Sequence, residues 1–384
     1  MGSNLYRRDV AGCRDACLPQ FPSLITVAFL RDTMIELLVL LTPLAVLAAS
    51  LCVIYIIRFL DVVEREPKRM IGLALLAGAV ATIPAIFIQN SLSTGLQAAG
   101  MAVELSEAWN LIMIAPISEE LVKGFGLLIL VIVFRSKFDS LTDFLVYACA
   151  VGIGFEFVEN ILYQWSALSA EQDKLASWID EFNNRTLASA GGHAFFSIWL
   201  GFACWIPFKS KDKKLAALIM PAILISIGLH LINNLSAFLA SLGPPDQTLP
   251  INRIGVTLGV VSNHLNLALF IAVIGFAILR DLRFLSDYGI WVQAKLMREA
   301  TLNTSALQRL QSLLNPLNHL LAGSSWSWHF CRDASEGSSS RSDYRAFASL
   351  ALAAARRSQS DTSENLARSE LVARGCALVS TSSS

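Results

Sequence analysis

The stretch Trp109-Asn-Leu-Ile-Met-Ile-Ala-Pro-Ile-Ser-Glu-Glu-Leu-Val-Lys-Gly-Phe-Gly-Leu-Leu-Ile-Leu-Val-Ile-Val-Phe134 decides what kind of molecule this is. It is longer than the roughly 20 apolar residues that cross a bilayer as a helix. It is interrupted by Glu119, Glu120 and Lys123. A charged side chain at the bilayer centre costs about 2.5–3.5 kcal/mol on insertion scales. A chain that keeps three in one apolar run must therefore have polar partners elsewhere in the membrane.

Six more apolar stretches flank this one: Leu37–Ile57, Ile71–Ile88, Leu141–Trp165, Ala188–Phe208, Leu215–Leu242 and Ile254–Leu279. No period-2 alternation runs through them, which argues against a transmembrane barrel. The run Phe21–Leu30 is apolar but too short to span, and it lacks the basic flank and clean small-residue site of a signal peptide. The expected fold is an all-α polytopic membrane protein of about seven transmembrane helices, with a mostly disordered C-terminal tail. The expected divisions are an N-terminal segment 1–34, a transmembrane domain 35–280 and a cytoplasmic low-complexity tail 281–384. The tail rests on the Ser-rich Ser335–Ser342 and the Ser/Ala/Arg-rich Gln359–Ser384.

Composition agrees. Of 384 residues, 54% are hydrophobic and 16% charged, against about 25% charged in soluble domains. Thirty Lys+Arg balance thirty Asp+Glu. The apolar content excludes a disordered chain, and the absence of basic excess argues against a nucleic-acid partner. The seven cysteines are scattered and form no CxxC, so neither a disulfide framework nor a Cys-type zinc site is expected.

Loop charges set the orientation. Arg58, Arg65, Lys68 and Arg69 follow the first span, Arg135 and Lys137 the third, and Lys209, Lys211, Lys213 and Lys214 the fifth. No Lys or Arg lies between Gln89 and Ala108. The alternation places the N-terminus outside and the C-terminus in the cytoplasm, against the N-terminal Arg7, Arg8, Arg14 and Arg31, which would then lie outside. A six-span chain without the first helix would remove that conflict and leave its apolar run unexplained.

The ionisable residues fall in four spans: Glu119, Glu120 and Lys123; Glu156 and Glu159, with Asn160; His193; and His230, with Asn233 and Asn234. Counted along alternating helices at about 1.5 Å per residue, all lie between the mid-plane and the outer face. One polar site is expected there. Glu119 and Lys123 stand i,i+4 in the order that favours an ion pair, with Glu120 about 100° round the helix. Glu156 and Glu159 share a face at i,i+3, as do His230 and Asn234 at i,i+4. Gly124, Gly126, Gly152 and Gly154 would allow close helix approach beside the site.

A buried Glu suits activation of water, and His can donate to an oxyanion or bind a metal. Two His and a Glu would also make a zinc set with a water in the fourth position. HExxH and GxSxG are both absent, which removes a zincin and a nucleophile elbow. A proton-coupled transporter also buries such groups, but usually shows repeated halves and matched helix breaks. Here Pro116 has no counterpart. A non-catalytic membrane scaffold is the third alternative. His264, with Asn263 and Asn266, reads as a structural hydrogen-bonding group or a cavity liner, and His319 and His329 in the tail carry no expected role.

Four motifs sharpen the choice. Ala115-Pro-Ile-Ser-Glu-Glu-Leu-Val-Lys123 resembles the PxxEExxK motif of the PrsW family of intramembrane proteases. Phe155-Glu-Phe-Val-Glu-Asn160 resembles its FxxxEN motif, Gly192-His-Ala-Phe-Phe-Ser197 with Gly201 its His-bearing motif, and His230-Leu-Ile-Asn-Asn234 its HxxxN motif. They occur in the family's order over roughly Leu37–Leu279. The resemblance implies a multi-pass endopeptidase related to the CAAX prenyl endopeptidases and bacteriocin-processing proteins, cutting membrane-tethered protein or peptide substrates within the lipid bilayer. It implies Glu119 as water activator, with Glu120 and Lys123 in the same signature; Glu156, read from its place beside Glu159, is a supporting or a catalytic group. Glu159 and Asn160 would orient groups at the site. His193 and His230 would bind a metal or stabilise the oxyanion, and Asn234 would complete the oxyanion pocket. The implied metal, if zinc is held, rests on His193, His230 and Glu159.

Overall fold

The computed structural model describes residues 24–60, 66–138, 140–169, 173–209, 213–242 and 250–299. Among these every regular element is helical: α1 Leu24–Leu60, α2 Lys68–Ala98, α3 Val103–Trp109, α4 Ala115–Val133, α5 Leu141–Leu168, α6 Lys174–Glu181, α7 Gly192–Lys209, α8 Ile219–Ser241 and α9 Pro250–Glu299. Two π-helical stretches, Asn110–Ile114 and Phe182–Ala188, precede α4 and α7.

Among the described residues, six segments are long and apolar enough to cross a membrane: Ile35–Arg58, Lys68–Ala98, Leu141–Leu168, Lys174–Phe208, Lys214–Ser241 and Pro250–Arg283. The third expected span, Trp109–Phe134, is not among them; it is built from the end of α3, the π stretch and α4, and differs in carrying Glu119, Glu120 and Lys123. Its two faces are inverted relative to a soluble helix. Ile117, Leu121, Phe125, Ile129 and Ile132 are exposed, while Ser118, Glu119, Glu120 and Lys123 are buried. The other helices likewise expose apolar side chains, with Leu40 at 71% and Phe87 at 72%. Apolar surface on that scale is covered by lipid.

Three expected boundaries move. The interval left between the apolar stretches that end at Trp165 and begin at Ala188 holds the end of α5, the whole of α6 and most of a π stretch. Helix α9 runs through residue 280 to Glu299, so the tail expected from 281 begins as helix. The apolar run Phe21–Leu30 contributes to α1 from Leu24 onward. The remainder of the tail, with His319 and His329, and most of the N-terminal segment lie outside the described residues.

Helix α5 is the axis of the bundle. Ser140 caps it by accepting from the Asp143 amide at 3.2 Å, and Asp143 accepts from the Ser140 amide at 2.8 Å. Every residue from Ser140 to Glu156 is buried. Glycines let its neighbours reach it. A Cβ on Gly78 would strike the Val151 carbonyl, and one on Gly154 would strike that of Leu75, so α2 and α5 meet backbone to backbone. On the opposite side, a Cβ on Gly152 would meet the His193 carbonyl and one on Gly201 that of Phe144, which fixes α7 against α5. Gly124 and Gly126 do not act this way. Their nearest neighbours are 3.7 Å away, ordinary contact distance.

Candidate functional site

The N-terminal ends of α4 and α7 and the C-terminal halves of α5 and α8 meet at one end of the bundle. The four motif segments converge there around a cavity of about 810 Å³.

Helix α4 brings two carboxylates with different surroundings. Glu120 and Lys123 are both fully buried and form an ion pair. This corrects the expected Glu119–Lys123 pair: Lys123 turns one residue round the helix to Glu120. Glu120 Oε1 also accepts from His230 Nδ1 at 2.9 Å, and its Oε2 accepts from Ser226 Oγ at 2.8 Å. Glu119 instead takes one hydrogen bond on Oε1, from Gln89 of α2 at 3.1 Å. Its Oε2 is buried without a hydrogen-bond partner and lies 3.8 Å from His230 Nε2.

The protonation pattern follows from donor and acceptor capacity. The Glu120 carboxylate only accepts, so His230 Nδ1 carries the ring proton and His230 Nε2 offers a lone pair. With Glu119 ionised, two acceptors, His230 Nε2 and Glu119 Oε2, face each other. Such an arrangement is completed by a water donating to both or by a cation. Lys123 Nζ lies 2.8 Å from His193 Nδ1 and as an ammonium can only donate. His193 Nδ1 therefore accepts, and Nε2 carries the proton. The two histidines, with ring centroids 5.0 Å apart, hold opposite tautomers: His230 presents an acceptor and His193 a donor.

His193 is placed by the backbone. Gly191 precedes α7 at φ +82, a conformation glycine adopts without strain. The Gly191 amide donates to Glu156 Oε1 at 2.8 Å and the His193 amide to Glu156 Oε2 at 3.1 Å. Glu156 thus caps the start of α7, where helix amides lack partners and negative charge is favoured. His193 Nε2 lies 2.8 Å from Glu159 Oε2, and Arg185 Nη2 lies 3.0 Å from Glu159 Oε1. Arg185 also contacts Asn160 Oδ1 at 3.4 Å and stands 3.6 Å from the centre of the Tyr163 ring.

On α8, Asn234 lines the cavity, but its amide donates to the Leu111 carbonyl at 2.9 Å. That carbonyl belongs to the π stretch. Pro116 cannot donate to the carbonyl of Ile112 and its ring crowds that turn, and the widened stretch Asn110–Ile114 lies just before it. Asn234 repairs part of the disrupted ladder. His264 turns its Nδ1 onto the Val260 carbonyl at 2.7 Å while also lining the cavity, so both readings of it apply.

Sequence reasoning missed Arg185, Gln89 and Ser226. Arg185 lies between two apolar stretches, and its i,i+4 spacing from Glu181, a contact of 3.6 Å in the structure, is a helical signal. Gln89 and Ser226 carried no signal beyond being polar residues in apolar runs.

Metal capacity can be tested on these atoms. Glu119, His193 and His230 each offer a ligand atom, all within 4.8 Å of one another and all buried. The orphaned Glu119 oxygen and the lone pair of His230 Nε2 fit a cation in type and placement. Glu120 on His230 Nδ1 is the carboxylate that commonly orients a ligating imidazole. His193 would have to give up its Nε2 proton, and metal loading commonly releases protons in this way. The set fits. It places Glu119 among the ligand donors, whereas the sequence pointed to Glu159, which contacts His193 instead.

The fold and site define a polytopic helical membrane protein with a buried Glu/His centre. Residues 66–262, just over half of the chain, match the PrsW family of intramembrane metalloproteases, and the chain belongs to that family. It is 31% identical over 142 residues to "Protease PrsW" of Geobacillus kaustophilus, covering 37% of this chain and 56% of that protein. It is 27% identical over 184 residues to "Protease PrsW" of Oceanobacillus iheyensis, covering 47% of this chain and 77% of that protein. No solved structure matches the chain.

Proposed function

We propose that this chain is an intramembrane endopeptidase that hydrolyses peptide bonds of membrane-tethered protein segments. Its centre opens toward the non-cytoplasmic side, with the N-terminus outside and the C-terminus cytoplasmic. One observation carries the reading: Glu119 Oε2, buried and unpartnered, faces His230 Nε2 across 3.8 Å.

A water seated between these acceptors donates one O–H to each and keeps its lone pairs for a substrate carbonyl. Glu119 takes a proton as the water oxygen adds to the carbonyl carbon, and the carbonyl electron pair moves onto its oxygen. His193 Nε2–H, which lies 2.8 Å from Glu159 Oε2 before substrate binds, turns to donate to this oxyanion and stabilises it. Collapse of the adduct breaks the C–N bond, and Glu119 returns the proton to the leaving amine. Glu120 and Ser226 fix His230, while Lys123 fixes the tautomer of His193. Arg185 and Asn160 hold Glu159 beside His193. Asn234 secures the π stretch that leads into Glu119. If a metal is bound, zinc being the ion that suits these donors, Glu119, His193 and His230 would hold it, and it would supply Lewis-acid polarisation of the substrate carbonyl and acidify the bound water.

The test is cleavage of membrane-tethered reporters in proteoliposomes. Wild type is expected to cut, Glu119→Gln and His230→Ala to be inactive while remaining folded, and a chelator to decide the metal. A folded wild type that cuts no reporter would return the carrier or scaffold reading.

A further inference from the structure

One flank of the cavity takes no part in the hydrolytic scheme above. It is formed by α8, α9 and the first π stretch, and its polar groups are chiefly carboxamides, Asn110, Asn233, Asn263 and Asn266, with the hydroxyl of Ser236 and the ring of His264 beside them. Asn266 is only 3% exposed, and its Oδ1 has no hydrogen-bond partner. The buried Oδ1 of Asn110 is also unpartnered. Leaving a buried polar group unsatisfied is unfavourable, and more so in a bilayer, where water is scarce. Leucine would serve α9 better at position 266 if packing were the only demand. Two orphaned acceptors on the cavity that holds Glu119 point to a ligand that brings donors.

The chemistry of the flank narrows the ligand. Carboxamides are neutral and both donate and accept. They match the N–H and C=O groups of a polypeptide backbone, and they lack the charge that would select a phosphate or a carboxylate. A helical substrate offers no such groups, because its own ladder uses them. Only an unwound stretch exposes them, and only an unwound stretch lets a carbonyl reach Glu119.

We propose that Asn110, Asn263 and Asn266 form a subsite for the unwound backbone of the substrate beside the bond to be cut. This rests on the peptidase reading and adds a selection to it: the enzyme favours segments whose helix is easily opened within this cavity.

The experiment uses the full chain in proteoliposomes and two single-span fluorescent peptides, one carrying a Gly-Pro pair at the outer end of its span and one carrying Leu-Leu there. Binding is measured on the Glu119→Gln background, so that it is read without cleavage, and turnover on the otherwise wild-type chain. Wild type is expected to cut the Gly-Pro peptide preferentially. Asn266→Leu should raise KM for that peptide about five- to tenfold, as loss of one or two hydrogen bonds predicts, with kcat nearly unchanged. It should also abolish the binding preference. Asn263→Leu, at an exposed position, tests the same flank where misfolding is not a concern, and should act in the same direction.

Unchanged KM and unchanged preference in both variants, with a wild type that cuts, would overturn the subsite and leave the peptidase reading standing. Asparagine-dependent binding of the Gly-Pro peptide without turnover would sustain the subsite and sink the hydrolytic reading. Displacement of the peptide by a short-chain phosphatidylcholine, with equal effect in wild type and Asn266→Leu, would overturn the proposal.

Discussion

Helix α5 contains two different solutions to life in a membrane. From Leu141 to Phe155 it is buried on all sides, its one charged residue, Asp143, lies in the capped first turn, and its glycines admit the backbones of α2 and α7. Around that half, Phe138, Phe144 and Tyr147 pack ring to ring. From Glu156 onward the same helix supplies Glu156, Glu159 and Asn160 to the wall of the cavity. The first half holds the helices together by shape, because in lipid there is little hydrophobic force between helices to do so. The second half relies on charge and hydrogen bonding, which bind side chains from α4, α7 and α8 into one network. Stability should therefore reside mainly in the first half and chemistry in the second.

Glu120→Gln should break that division most severely. It leaves Lys123 buried without its partner, which costs about 3–5 kcal/mol, and it frees His230. Both melting temperature in detergent and reporter cleavage should fall sharply. Glu119→Gln should respect the division: cleavage drops about a thousandfold, the scale of losing a general base, while the melting temperature holds, because the lost oxygen had no partner to leave behind. Gly154→Leu should show the reverse. Forcing α2 from α5 costs about 1–3 kcal/mol of overpacking, lowering the melting temperature, while the protein that remains folded cuts at a normal rate. Arg185→Gln should give the smallest effect, about tenfold on kcat with little change in stability, since the side chain is 30% exposed and exposed ion pairs contribute little. Partial rescue by Arg185→Lys, together with a changed pH–rate profile, would distinguish positioning of Glu159 from simple loss of packing.

How much of this was legible in the sequence depends on what each residue's role rests on. The convergence of Glu119, Glu159, His193 and His230 was readable, because depth in a membrane helix follows from counting residues. The partner of Lys123 was not. Helical spacing permits both Glu119 and Glu120, and the choice is made by Ser226 and His230 arriving from α8 and by Gln89 from α2. The same limit applies to the glycines. Gly152 and Gly154 are pressed against neighbouring backbones, whereas Gly124 and Gly126 have room at ordinary contact distance, and a run of small residues does not say which face will be approached. Arg185 was hidden by its surroundings. Segment 182–188 carries Arg185 as a single charge between two apolar stretches, and its π-helical course has no periodic signature. The role of Glu156 as a cap for α7 likewise depends on a turn at Gly191 that only the fold supplies.

The widened turn at Asn110–Ile114 has a consequence for the register of the chain. A π stretch carries an extra residue relative to an α-helix, and each residue advances the azimuth by about 100°. Everything before it is therefore rotated relative to Glu119. Glu107 and Asn110 face the same cavity as Glu119 because of that phase shift. A one-residue deletion between Leu111 and Ile114 would remove the extra residue and keep Glu119 in place, but swing Asn110 away from the cavity. Here the length of a helix, as much as the identity of its residues, determines what the substrate meets first.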